Sequence, residues 1–362
     1  MKRDNYYEAL AASANCSDHD VAIVPLSGGL INHTYKVTIR PNGYRYILQQ
    51  INKKIFLEPQ KLLDNYQLIW GFWSNEHPQW IPFPITVPKP LRFTDGKYLF
   101  YDSQGEYWRI MEYAANTNCF DKPINPEQAK KAAKAFACAT AGFEYYPLEN
   151  FQVTIPSFHD LSLRYWQFKE SLHVRNFERL HNAAPIIQEL KQRERYASFY
   201  DIITESAEFE KRLMHHDAKI SNILFDDENE NKIACLVDFD TCMPGYFFSD
   251  LGDMIRSMAF SDGENSIKTD EISIRKDYYE SIVEGYLEVM NEYLTETEKK
   301  YIHSSGLLII YMQALRFLTD YLNDDVYYQK DYEEQNLDRA KNQLALLQKL
   351  EEFLKDNYQF NI

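Results

Sequence analysis

Apolar and polar positions alternate with period two along Thr34-Tyr35-Lys36-Val37-Thr38-Ile39 and again along Tyr44-Arg45-Tyr46-Ile47-Leu48-Gln49-Gln50-Ile51. The turn sequence Pro41-Asn42-Gly43 separates them, so the pattern predicts a β-hairpin. A helix is expected over 60–73, because Leu62, Tyr66, Ile69, Phe72 and Trp73 recur at helical spacing, and Asn65 falls on the same face. Two more strand-like runs, 98–101 and 107–113, flank the polar stretch 102–106; the second leads into polar 115–118, which suits a hinge. Beyond it the period becomes helical, over 126–143, 161–172, 183–200, 278–293, 296–322 and 335–355. There the only strand-like part is a short hairpin around 223–237. In the last helix Leu337, Ala340, Leu344, Leu347 and Leu354 form a core-facing stripe. These patterns give an α+β fold class, with a small antiparallel-sheet lobe in 1–113 and a larger, mostly helical lobe in 114–362.

Composition changes this picture little but excludes several classes. At 362 residues the chain is long for a single core, which also favours two lobes. The start, Met1-Lys2-Arg3-Asp4-Asn5, lacks the apolar core of a signal peptide, and the apolar stretch Leu307-Leu308-Ile309-Ile310-Tyr311-Met312 is too short to cross a bilayer. A cytoplasmic protein without membrane partners is expected. The 5 cysteines are odd in number and lack metal-ligand spacing, so buried thiols are expected. A formal net charge of −15 without a basic stripe argues against a nucleic-acid partner. It suits cationic substrates, or simple solubility, equally well.

The chemistry concentrates in His215-His216-Asp217-Ala218-Lys219-Ile220-Ser221-Asn222. The order H-x-D-x-K-x-x-N is that of a kinase catalytic loop and implies ATP-dependent phosphoryl transfer. Asp217 can orient an acceptor hydroxyl and take its proton, Lys219 can offset charge on the transferred group, and Asn222 can hold Mg²⁺. Downstream, Ile233-Ala234-Cys235-Leu236-Val237 delivers Asp238-Phe239-Asp240 at a strand end. The polar turn 226–231 lets 223–225 pair with 235–237 and is expected to bring Asn222 and Asp238 together. Two oxygen ligands completed by phosphates and water suit Mg²⁺. Asp240 is open between an extra metal ligand and a loop carboxylate. Leu26-Ser27-Gly28-Gly29-Leu30-Ile31-Asn32 can bring backbone N–H groups to phosphates, though a Gly-Gly pair is as readily an ordinary hairpin turn.

Further blocks complete a set: Gly29-Leu30-Ile31-Asn32-His33-Thr34-Tyr35, Tyr46-Ile47-Leu48-Gln49-Gln50-Ile51-Asn52, Asp238-Phe239-Asp240-Thr241-Cys242-Met243-Pro244-Gly245 with Asp250-Leu251-Gly252-Asp253-Met254-Ile255-Arg256, and Arg316-Phe317-Leu318-Thr319-Asp320-Tyr321-Leu322. With the catalytic octet, they resemble the aminoglycoside phosphotransferase and choline kinase superfamily, and within it the N-acetylhexosamine 1-kinases. The resemblance implies a bilobal protein-kinase-like fold, ATP and Mg²⁺ as cofactors, and an active site between the lobes. It makes Asp217 the base and Asn222 and Asp238 the metal ligands. Ser27, Gly28 and Gly29 would cover the phosphates, and Met111 to Tyr113 would offer backbone hydrogen bonds to adenine. Arg316 and Tyr327 would contact the sugar. Asp320, one turn past Arg316, could hold its guanidinium, or the two could form a structural ion pair. Asp250 and Asp253 would brace the catalytic loop, with Arg256 as counter-charge, and His215 would be structural.

Two departures stand out. Gln49 occupies the slot of the kinase strand lysine, with Asn65 in place of the helix glutamate, and Leu30 stands where the hexosamine kinases tend to have a sugar-contacting His. The expected activity is phosphorylation of a small-molecule sugar, at the anomeric hydroxyl of an N-acetylhexosamine. The alternatives are a choline, ethanolamine or aminoglycoside kinase and, from another class, a nucleotide-binding pseudokinase module. The sequence leaves the oligomeric state open.

Overall fold

The computed structural model describes residues 6–13, 20–26, 31–75, 78–79, 81–82, 85–173 and 176–362. They form two compact units: 1–119 with 147–156 and 223–243, and 120–146 with 157–222 and 244–362.

The first unit is built on an antiparallel sheet in the order Val21–Leu26, His33–Ile39, Tyr44–Ile51, Tyr107–Glu112 and Pro90–Leu91, with Phe100–Tyr101 also pairing with Tyr107–Glu112. The expected hairpin forms, with Thr34 opposite Gln49 and Ile39 opposite Tyr44. A second hairpin closes over 102–106, where one Asp102 oxygen accepts from Gln104 N and Glu106 N and the other from Trp108 Nε1. Strand alternation sorts the side chains. Val37, Tyr46, Leu48, Trp108 and Ile110 join Ala9 and Leu10 in one apolar cluster, which leaves Gln49 and Arg109 to the opposite face. The helix Pro59–Asn75 buries Leu62, Leu63, Asn65, Tyr66 and Ile69. Also in this unit, Ile223–Asp226 pairs with Ile233–Leu236, as the sequence indicated, and with Thr117–Cys119, part of which the pattern had assigned to a hinge.

In the second unit Pro126–Gly142 starts as its sequence dictates, with Asn125 Oδ1 accepting from Gln128 N and Pro126 in the first turn, where a missing N–H costs nothing. Two expected helices are each broken in two. The segment 183–200 divides into parts of Phe177–Lys191 and Arg195–Glu205, with Arg193 in the turn bonded to Glu189 and Glu351. The segment 296–322 divides into Glu296–Lys300 and Ser304–Leu322. Ser304 and Ser305 there donate their hydroxyls to the carbonyls of Tyr301 and Ile302, which competes with helix continuation. Phe248–Met258 is an additional helix, absent from the expected set. The pattern was there to be read, since Phe248, Leu251, Met254, Ile255 and Met258 recur at helical spacing, and Asp250, Gly252 and Asp253 are buried along with them. Gly252 is needed there, because a Cβ would stand 2.3 Å from the Ser305 carbonyl oxygen. Short strands Arg212–Met214 and Met243–Gly245, which the pattern had not indicated, form a separate two-stranded sheet.

Candidate functional site

In the first unit Gln49 lies directly opposite Arg109 on the neighbouring strand. Its Oε1 accepts from Arg109 Nε at 2.8 Å and Nη2 at 2.5 Å, while its Nε2 donates to Thr34 Oγ1 at 2.9 Å. The expected partner of Gln49, Asn65, is engaged elsewhere: it bonds the backbone of Gln152 in both directions and donates to the Cys242 carbonyl at 3.0 Å. Arg109 is the residue that sequence reasoning missed. Its Nη1 lies 2.6 Å from Asp240 Oδ1, with both side chains only 3% exposed. Burial opposes the guanidinium charge, but Asp240 more than offsets this and holds the Arg109 pKa above its ordinary value. Asn32 Nδ2 occupies the other Asp240 oxygen at 2.7 Å. Asp240 therefore belongs to a buried ion pair. Asp238, two residues earlier, has left-handed backbone angles (φ 64°, ψ 55°), uncommon for a residue with a Cβ and frequent at functional sites. Met111 is half-buried opposite Ile47 and Pro90, and the Tyr113 ring faces Lys36 and Arg45. Ser27, Gly28 and Gly29, and the divergent Leu30, lie outside the described residues.

In the second unit the octet His215 to Asn222 is held by Asp250, at the start of helix Phe248–Met258. Its two carboxylate oxygens accept from His215 N at 2.9 Å and His216 N at 2.7 Å. Burial pushes the Asp250 carboxyl up to about 6 despite these bonds and the nearby His215. His216 is left-handed (φ 63°), and its ring fills the space a Cβ on Gly245 would need, 2.3 Å from Cε1. Asp217 follows, with Oδ2 accepting from Lys219 Nζ at 2.9 Å and from Asn222 Nδ2 at 2.8 Å. Burial opposes ionisation of Asp217, but Lys219, with His215 and Asn222, more than offsets it and holds the carboxyl below its usual range. The Asn222 amide nitrogen also donates to the Asp217 carbonyl at 2.8 Å. Asp253 pairs with Arg256 at 2.8 Å, and Arg256 reaches Glu264 at 3.0 Å.

The donor chemistry fits magnesium, which favours hard oxygen ligands and keeps several waters. The amide oxygen of Asn222 and the carboxylate of Asp238 are such donors. Among the described residues no group of three or more His, Cys, Asp or Glu is placed to hold a metal.

Arg316 projects from helix Ser304–Leu322 among rings, 5.3 Å from Phe158, 5.7 Å from Tyr327 and 5.6 Å from Tyr328, and donates to Gln313 Oε1 at 3.2 Å. Among the described residues no ion pair joins it to Asp320. The Asp320 carboxylate instead accepts from Tyr327 N at 2.8 Å, Tyr328 N at 2.9 Å and Asn336 Nδ2 at 3.0 Å, clamping the loop that carries both tyrosines. That i,i+4 spacing misled, because the backbone amides of a loop folded against the helix outcompeted the neighbouring guanidinium. Close by, the His159 ring stacks on Phe158 and meets His216 through their Nδ1 atoms at 3.2 Å. Removal from water, then the charges of His216 and Arg316, holds its pKa well below the ordinary imidazole value. Burial and Arg316 likewise lower the pKa of Arg164, so the two guanidiniums feel each other.

Residues 22–282 match the family described as "Phosphotransferase enzyme family", APH. Among solved structures, the chain is similar to a microcompartment-associated aminopropanol kinase at 17% identity and TM-score 0.58, covering 94% of this chain and 95% of that one. An aminoglycoside phosphotransferase from Alicyclobacillus acidocaldarius aligns at 13% identity and TM-score 0.58, over 99% and 97% of the two chains. A spectinomycin phosphotransferase solved with ADP and spectinomycin aligns at 9% identity and TM-score 0.59, over 97% and 99%. At these identities the likeness is one of fold, the protein-kinase-like α+β fold. The family match spans most of the sequence and includes both the catalytic octet and Asp238, and on that ground the chain belongs to the APH phosphotransferase enzyme family.

Proposed function

We propose that this chain is an ATP- and Mg²⁺-dependent kinase that phosphorylates a hydroxyl of a neutral sugar, the anomeric hydroxyl of an N-acetylhexosamine being the best fit. The observation that carries the phosphoryl-transfer reading is the Asp217 carboxylate held ionised by Lys219 at 2.9 Å and Asn222 at 2.8 Å. A carboxylate fixed in this way can orient the acceptor hydroxyl and accept its proton as the oxygen attacks the γ-phosphorus and ADP leaves with the bridging oxygen. Lys219 offsets charge on the transferred phosphoryl group. Asn222 and Asp238 would hold magnesium, which when bound draws charge off the phosphates. On this reading Ser27, Gly28 and Gly29 cover the phosphates, and the backbone of Met111 to Tyr113 meets the adenine.

For the acceptor, the support comes from charge. Arg316 places a guanidinium beside the rings of Phe158, Tyr327 and Tyr328, Arg164 donates to the Phe158 carbonyl and feels the Arg316 charge, and the Asp320 carboxylate on the same helix as Arg316 is engaged by backbone amides. Ring hydroxyls and an acetamido carbonyl can accept N–H bonds from such a group, whereas a cationic acceptor would meet like charge. A second reading has support of its own: the structural relatives include an aminopropanol kinase and a Plasmodium vivax ethanolamine kinase, the latter at 15% identity and TM-score 0.55. An ATP-consumption screen over hexoses, N-acetylhexosamines, choline, ethanolamine, aminopropanol and aminoglycosides, with Asp217→Asn as control, separates the two. Turnover with N-acetylhexosamines alone supports the sugar reading, and preferential turnover of an amino alcohol overturns it. Asp217→Asn should lose on the order of 10²-fold or more in kcat while still binding nucleotide.

A further inference from the structure

The turn that carries Asp238 is anchored at three successive points within its own unit. The Phe239 ring meets the Tyr66 ring edge-on at 6.2 Å. The Asp240 carboxylate is taken by Arg109 and Asn32, and the Cys242 carbonyl by Asn65 at 3.0 Å. Arg109 is the hub. Two hydrogen bonds run to Gln49 and an ion pair to Asp240, and its guanidinium lies 5.6 Å from the Tyr66 ring that backs Phe239. Asn32 extends the chain of bonds, since its Oδ1 accepts from Asn52 N at 2.9 Å. A lysine at position 49 would bring a second cation against Arg109.

We propose that Arg109 is a positioning residue for magnesium and nucleotide, which fixes the left-handed turn at Asp238 by gripping Asp240 and is itself aimed by Gln49. This rests on the reading of Asp238 as a metal ligand. An arginine fork suits the task because it can bind the carboxylate and the amide together in one plane, which an ammonium cannot. Residues that orient a metal ligand through a hydrogen bond are typically worth 10- to 100-fold in metal affinity.

The test is calorimetric binding of ADP with magnesium and of ADP in EDTA, with thermal unfolding of the ligand-free protein alongside. In Arg109→Lys the gain in ADP affinity from magnesium should shrink by roughly 10- to 100-fold, with metal-free ADP binding little changed. Since Arg109→Lys could also weaken the fold, a second variant is needed. Replacing one partner strands a buried charge, whereas neutralising both is often tolerated, so Arg109→Gln/Asp240→Asn should stay folded. It should nevertheless show the same loss of magnesium dependence. Parental magnesium dependence in this folded double variant would overturn the inference and leave the pair purely structural. If the parent shows no magnesium dependence, or Asp238→Ala retains all of it, the metal-ligand reading itself fails, and this inference with it.

Discussion

Asp250 and His216 are joined by a bond that explains how a left-handed residue sits just ahead of the candidate base. The buried carboxylate takes the His216 N–H at 2.7 Å and the His215 N–H at 2.9 Å, so consecutive backbone amides are pinned to one side chain. A non-glycine residue at φ 63° costs energy that local bonding of this kind offsets.

Asp250→Asn can satisfy only one of those amides through its single carbonyl oxygen, leaving the other buried donor unpaired at a cost of about 1–3 kcal/mol. The melting temperature should fall. The pH dependence supplies a sign. The folded carboxyl is raised to about 6 by burial, so the native state binds more protons than the unfolded chain between about pH 4 and 6, and this group's contribution to stability declines as pH rises through that window. The stability difference between parent and Asp250→Asn should therefore be larger at pH 5 than at pH 7. Melting curves at the two values check it, and a difference that grows with pH would contradict the raised pKa.

Lys219→Met should move the acidic limb of the pH–rate profile upward. Burial alone favours the neutral Asp217 carboxyl, and Lys219 is the largest influence acting against it. Without the ammonium the carboxyl protonates at higher pH, so the fall in kcat on acidification begins earlier. The stability that ionised Asp217 contributes follows the depressed-carboxyl rule: present above the unfolded pKa, it is lost as pH falls through the folded one. A profile of kcat from pH 4.5 to 8 in both proteins is the measurement; an unmoved limb would mean that another group sets it.

Arg316 and Asp320 should behave differently when altered, because they are not partners. Arg316→Ala should raise KM for the sugar by roughly ten- to a hundredfold, the value of about 1.5–3 kcal/mol for a hydrogen bond to a charged group, with little change in melting temperature or in KM for ATP. Asp320→Ala frees the Tyr327 and Tyr328 amides and the Asn336 side chain, so it should lower the melting temperature as well as raise sugar KM. If Arg316→Ala destabilises the fold and leaves sugar KM alone, the sugar-contact assignment is lost.

Much of this chain was legible from neighbouring residues alone. The hairpin His33–Ile39 with Tyr44–Ile51, the helix Pro59–Asn75 and the hairpin delivering Asp238 follow from period, turn residues and strand length, all local properties. The octet from His215 to Asn222 was equally plain as a motif, and its internal bonds, Asp217 to Lys219 and Asp217 to Asn222, are local, whereas its anchoring on Asp250 is not.

What only the tertiary structure decided were relationships whose partners are distant in sequence or whose polarity is hidden. Arg109 sits between Trp108 and Ile110 and reads as an ordinary outward-facing strand residue until the register sets it opposite Gln49 and the turn at Asp240 covers it. Asp320 was readable as a helix position but not as a loop clamp, since its partners depend on where the chain beyond the helix returns. In helix Phe248–Met258 the apolar spacing is itself local, but that Asp250 meets the amides of His215 and His216 is decided only by the fold. Periodicity records which side of an element meets the core. Which polar groups find each other inside that core depends on long-range packing, and a local pattern carries no record of it.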